Sequence, residues 1–210
     1  MYNSYKNFLK NIEDVKSLTT VYSYLTNNVT VPLCFDDLLR AQIVNSLSAF
    51  DKLIHDLVRI GIVEIFKGSR IATPKYLSEP LKMDIYHKIS NINSTTIEAE
   101  FEKLSIFEQS IYDKLKFISY QDPSKISDGL SYIVSDNSKW FKISEHMSMK
   151  ESEIKTQLKL IVSRRNSIVH ESDINPQDLN KLQILQIDCE NCIDFISKLG
   201  EAIYSLAKQP

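Results

Sequence analysis

Apolar residues recur along most of this chain at steps of three and four, the period of an amphipathic helix. Phe8, Ile12, Val15, Leu18, Val21 and Leu25 predict one such helix over residues 4–26. Residues 27–35 hold Asn27-Asn28 and Pro32 and read as a loop. Asp36 and Asp37 then stand where acidic side chains favour a helix start. Leu38, Ile43, Leu47, Phe50, Ile54, Leu57, Val58 and Ile62 carry a second, long helix to near Gly68. Residues 60–66 are apolar almost all round, which predicts burial of that end.

Gly68, Pro74 and Pro80 mark residues 68–80 as a connector, followed by a third helix over about 80–90. Ser94, Thr95 and Thr96 are N-cap candidates, with Glu98 and Glu100 in the first turn behind them. Phe101, Leu104, Phe107, Ile111 and Leu115 extend that helix to about Ser119, and Asp122-Pro123 breaks it. Short helices are expected around 130–134 and 140–143. A penultimate helix spans about 150–171, Asn175-Pro176 stops it, and a last long helix runs from Asp178 to Ala207. Neither a repeat nor a low-complexity tract interrupts the pattern. It predicts one all-α helical bundle over residues 1–210.

Composition sharpens this reading. A chain of 210 residues can bury about 70% of its unfolded surface, enough for a core without staples. Four glycines and six prolines are too few for an all-β fold, which needs a turn roughly every 8–12 residues. The net charge of -2 argues against a protein that coats nucleic acid, so any RNA contact must be local. Cys34, Cys189 and Cys192 make an odd count with no secretion signal before them, which points to a reducing cytoplasm. No apolar run is long enough to span a membrane.

Candidate chemistry concentrates in Ser163-Arg164-Arg165-Asn166-Ser167-Ile168-Val169-His170-Glu171-Ser172-Asp173. It closes a helix whose apolar side is Leu158, Ile161, Val162, Ile168 and Val169. Asn166 and His170 are four apart and share a face, and Arg165 can reach the same patch. The helix C-terminus favours a cationic imidazole. Arg164 is either a phosphate contact or a surface residue. A bare Arg-spacer-His spacing arises readily by chance, so the whole string matters more than the interval.

Arg164-Arg165-Asn166-Ser167-Ile168-Val169-His170 resembles the signature of HEPN domains: an Arg, a polar residue that is often Asn, three further residues and a His. Its placement on a late helix, before one long final helix, is similar too. Residues 48–58, Ser48-Ala49-Phe50-Asp51-Lys52-Leu53-Ile54-His55-Asp56-Leu57-Val58, resemble the long early helix of stand-alone, defence-associated bacterial HEPN proteins. The resemblance covers about 37–60 and 155–205. It implies a HEPN-like bundle of long antiparallel helices. It also implies a metal-independent endoribonuclease, a toxin or antiviral effector without cofactor, whose motifs face each other across a homodimer cleft. Arg165, Asn166 and His170 are then the catalytic residues. The expected partners are RNA, for instance a tRNA, and a cognate antitoxin or defence protein. The competing readings are a HEPN-like bundle that binds RNA or protein without cutting, and a structural bundle with a fortuitous motif.

Residue chemistry agrees with the implied role. An imidazole can give or take a proton near neutral pH, Arg165 offers a fixed charged fork to phosphate oxygens, and Asn166 can orient either. Asp51 and His55, also four apart, are either a helix-packing pair or supports for Arg165 or His170. Arg40 and Arg59 could extend a local cationic cleft, but are expected at the surface. Cys189-Glu190-Asn191-Cys192 lacks the four ligands of a structural zinc site and reads as two small apolar residues. No phosphate-binding glycine loop is present.

Overall fold

The computed structural model of the chain describes residues 1–31, 33–93 and 96–209. Among them lie nine α-helices and no strand: α1 (Tyr2–Asn28), α2 (Asp36–Phe66), α3 (Pro74–Ser78), α4 (Met83–Asn91), α5 (Ile97–Leu115), α6 (Pro123–Leu130), α7 (Lys139–Met147), α8 (Glu151–His170) and α9 (Gln186–Ala207). The all-α bundle expected from the period is therefore what forms. None of these helices is long and apolar enough to cross a membrane.

The long helices α2 and α9 carry the core. α2 packs against α1 and α9 over most of its length and meets α8, α5 and α6 along other faces. Leu39, Leu47, Phe50, Ile54, Leu57 and Val58 are fully enclosed on α2, as are Ile196, Leu199 and Ile203 on α9. Gly200 permits the closest approach: a Cβ there would sit 2.5 Å from the Phe8 ring. Residues 61–65 are almost wholly buried as predicted, and the exposed edge of Phe66 stacks on Phe107 at 4.0 Å. Cys189 and Cys192 are buried, and burial pushes their thiols up to about 11 and about 12. These are inert core sulfurs, as expected; the activated thiolate needs the opposite shift.

Several boundaries differ from the expected ones. Ser94, Thr95 and Pro32 lie outside the described residues, but Thr96 does cap α5, its hydroxyl accepting the Ala99 N–H at 3.2 Å. α5 ends at Leu115 instead of Ser119. Asp122-Pro123 not only breaks the chain but starts α6, with the Asp122 carboxylate accepting the Ser124 N–H at 2.7 Å and Pro123 at the first helical position. The helix expected at 130–134 thus lies earlier, ending at Leu130, and residues 131–133 form the turn leaving α6. The connector holds a short helix, α3, capped by Thr73. Phe101, placed on the apolar face by its spacing, is 71% exposed, and the buried residues of α5 are Phe107, Ile111 and Leu115, in its second half.

The last helix begins at Gln186, not Asp178. Residues 171–185 instead form a loop with left-handed backbone at Ser172, Asp173 and Leu179 and an isolated antiparallel bridge from Ile174 to Lys181. Asn175 and Asp178 side chains accept the N–H groups of Gln177 and Asn180, both at 3.0 Å. Such local side-chain acceptors compete with helix formation.

Candidate active site

α8 presents the motif. Its first turn carries Glu151 and Glu153, and the Glu153 carboxylate accepts the Lys150 N–H at 3.4 Å. Ile154, Leu158 and Ile161 turn inward against the core, while Val169 is 46% exposed, off the apolar side where its spacing placed it. The helix stops at His170, where the N–H groups of Glu171 and Asp173 both reach back to the Ser167 carbonyl at 3.0 Å.

What holds this end is a buried carboxylate. Asp173 is fully enclosed. Its Oδ2 accepts from Arg40 Nε at 2.7 Å and Arg164 Nη2 at 2.8 Å. The same guanidiniums donate to the Leu182 carbonyl at 2.7 Å and the Gln183 carbonyl at 3.1 Å. Lys181 and Arg40 in turn engage Asp37, whose carboxyl is held below its usual range chiefly by the Lys181 hydrogen bond. The start of α2, the end of α8 and the loop before α9 are thereby tied together. Arg164 is thus tied to the fold through Asp173 and the Gln183 carbonyl, with its side chain still 26% exposed beside the motif. Arg40 is buried, not at the surface, and Arg59 is occupied by Glu108 and Asp56. Asp173 and Arg40 carry no pattern of their own in the sequence; only the charged run around the motif hinted at a polar cluster.

Arg165 is half-buried. Its Nη1 donates to Asn166 Oδ1 at 3.0 Å, and its buried Nε finds no partner among the described residues. Asn166 keeps its amide donors available on the exposed side. His170 is exposed and makes no hydrogen bond or ion pair with any described residue. The fold therefore engages Arg164 but leaves the imidazole unused.

Asp51 and His55 lie beneath the motif on α2. Asp51 Oδ1 accepts the Tyr120 N–H at 2.5 Å, and Oδ2 is 3.9 Å from His55 Nε2. His55 Nε2 lies 2.8 Å from the Ile118 carbonyl, which can only accept, so the proton sits on Nε2. The His55 ring meets Tyr120 edge-on at 4.7 Å. The pair grips the segment after α5, the packing role. Asp51 is also close enough to feel Arg165: burial pushes its carboxyl up, against the opposing pull of the Tyr120 amide, His55 and Arg165. Tyr120, which the sequence did not mark, is the piece that joins them.

This arrangement separates packing from positioning. An asparagine in place of Asp51 could still accept the Tyr120 N–H, but would carry no charge to desolvate. Folding disfavours the Asp51 carboxylate, so the wild type loses stability as pH rises from the unfolded carboxyl's range. Asp51→Asn is expected to melt at or above wild type at pH 7, with the advantage vanishing towards about pH 4. A neutral-pH melting point below wild type would show that the charge on Asp51 stabilises the fold.

Among the described residues no three His, Cys, Asp or Glu side chains gather as a metal site would require. The family model described as RiboL-PSP-HEPN matches residues 3–209. No curated protein and no solved structure matches the chain.

Proposed function

The chain belongs to the RiboL-PSP-HEPN family, and from that premise we propose that it is a metal-independent endoribonuclease, a toxin or antiviral effector acting in the cytoplasm. The observation that carries this reading is the disposition of the motif: Arg165 anchored beside Asn166, with His170 exposed and unused by the fold. In the proposed reaction a base removes the proton of a ribose 2′-OH, which attacks the adjacent phosphorus. The bond to the 5′-oxygen breaks, and an acid protonates that oxygen. The products are a 2′,3′-cyclic phosphate and a 5′-hydroxyl. Arg165 neutralises the charge that builds on the phosphorane oxygens, where a fixed cation acts most strongly. Asn166 orients the phosphate with its free amide.

One motif supplies one imidazole, whereas the reaction uses both a base and an acid. Two motifs facing each other in a homodimer supply both. Support for that pairing comes from apolar side chains left open on and after the motif: Val169, Leu179 and Leu185 are 46%, 77% and 47% exposed.

Cleavage by the purified protein is expected to persist in EDTA and to leave cyclic phosphate ends. The same preparation is expected to scatter light as a dimer, with cross-links between the two copies near position 170. Products with 5′-phosphates that form only with Mg²⁺ would overturn the chemistry, and an active monomer would overturn the shared site.

A further inference from the structure

Beyond the motif, α8 carries a polar stripe of Lys155, Lys159, Ser163, Asn166 and His170. The steps of four, four, three and four residues stack these side chains along one face. Two open concavities adjoin the stripe. One, of about 670 Å³, lies between α8 and the turn before α6 and takes in Gln121, Asp122, Lys159, Ser163 and Asn166. The other, of about 550 Å³, lies among α6, α7 and α8 and takes in Ser124, Ser127, Ser131 and Lys155. Asp122 and Lys159 line both, so the two form one groove that starts at the motif and runs back along α8.

Lys159 is the exposed cation in the middle of this groove, and it forms no hydrogen bond or ion pair with any described residue. Lys155, by contrast, pairs with Glu151 and lies over the Trp140 ring at 5.2 Å. The acidic groups of the groove are partly occupied. Asp122 accepts both the N–H and the hydroxyl of Ser124, at 2.7 and 2.5 Å, and Asp128 pairs with Lys75. Glu171 lies at the motif end. Lys159 is near enough to Asp122 to help hold that carboxyl below its usual range, mainly set by Ser124, but it bonds to no described residue. A cation among hydroxyls and amides suits an extended polyanion better than an apolar ligand. At 1.5 Å per residue, Lys159 stands about 16 Å along the helix from His170, a span of a few nucleotides.

We propose that this groove is the track of the RNA strand on one side of the cut, with Lys159 contacting a backbone phosphate a few nucleotides from the scissile one. It rests on the ribonuclease reading for the identity of the strand. The contact carries charge and no base information, so it adds affinity without sequence preference.

The test uses the full chain and a fluorescent, mixed-sequence single-stranded RNA. In a His170→Ala background the RNA stays intact and binding is read by itself. Adding Lys159→Ala is expected to make the fall of log K with log salt shallower by about 0.7 for each phosphate that is no longer neutralised. Lys159→Arg restores the slope, and Lys88→Ala, on α4, leaves it unchanged. In the cleaving protein, Lys159→Ala raises KM and leaves kcat at the wild-type value. Unchanged slope and KM would overturn the track while leaving the ribonuclease reading intact. A slope that depends on Lys159 in a wild-type chain that never cuts RNA would keep the track and overturn the ribonuclease. A Lys159 effect on polyglutamate but not on RNA would overturn the track in favour of an acidic protein partner.

Discussion

Replacing His170 with alanine is expected to lower RNA cleavage by about 10²–10⁴-fold, the range for loss of a positioned acid or base. The fold has no stake in the side chain: it is exposed and bonded to none of the described residues. Helical circular dichroism and melting temperature should therefore match wild type, so the loss can be read as chemistry. Arg165→Ala should impair cleavage as strongly, but its half-buried side chain beside Asn166 and Asp51 makes some change in stability expected as well. A bundle that only binds RNA or a protein would keep its cellular effect in His170→Ala. Relief of growth arrest by this one substitution separates the two. Cleavage by the purified variant at the wild-type rate would end the assignment of His170.

The second large effect concerns Asp173. Asp173→Ala removes the acceptor shared by Arg40 and Arg164, at 2.7 and 2.8 Å, and leaves the buried Arg40 charge without its main partner. Breaking a buried pair from one side costs about 3–5 kcal/mol. For a domain of this size that corresponds to a fall in melting temperature of roughly 6–20 °C. Arg164→Ala should cost less, since its side chain is 26% exposed and Arg40 still holds the carboxylate. A melting temperature for Asp173→Ala within about 2 °C of wild type would mean that the ion cluster contributes little.

The helical bundle was legible because long, regular segments announce themselves: α2 and α8 follow from their three- and four-residue apolar steps alone. The motif was legible as a string, and its seat at the end of α8 followed from the helix it closes. What the period could not reveal was where polar groups go. Residues 178–185 have helix-compatible composition, yet their carbonyls at Leu182 and Gln183 are taken by Arg40 and Arg164, an arrangement set by residues more than a hundred positions away for Arg40. Arg40 itself looked like a surface cation on an amphipathic helix, since nothing local marks the buried carboxylate it meets. Tyr120 escaped notice for the same reason: its bond to Asp51 runs through its backbone N–H, which no side-chain pattern encodes. Lys159 is one of many lysines, and only the converging walls of α6 and α8 distinguish it.

Helix termini ordinarily fray, with opening free energies close to zero, and here the proposed acid–base residue, His170, is the last of its helix. The Asp173 cluster changes that expectation. Opening the final turn of α8 would require the Glu171 and Asp173 amides to leave the Ser167 carbonyl, and Asp173 cannot move without abandoning Arg40 on α2. The breathing of the motif is thus coupled to that of the most enclosed helix in the molecule. A residue whose side chain stays chemically free has its backbone held by neighbours that do not, so the place from which the imidazole extends is settled by folding and not by binding.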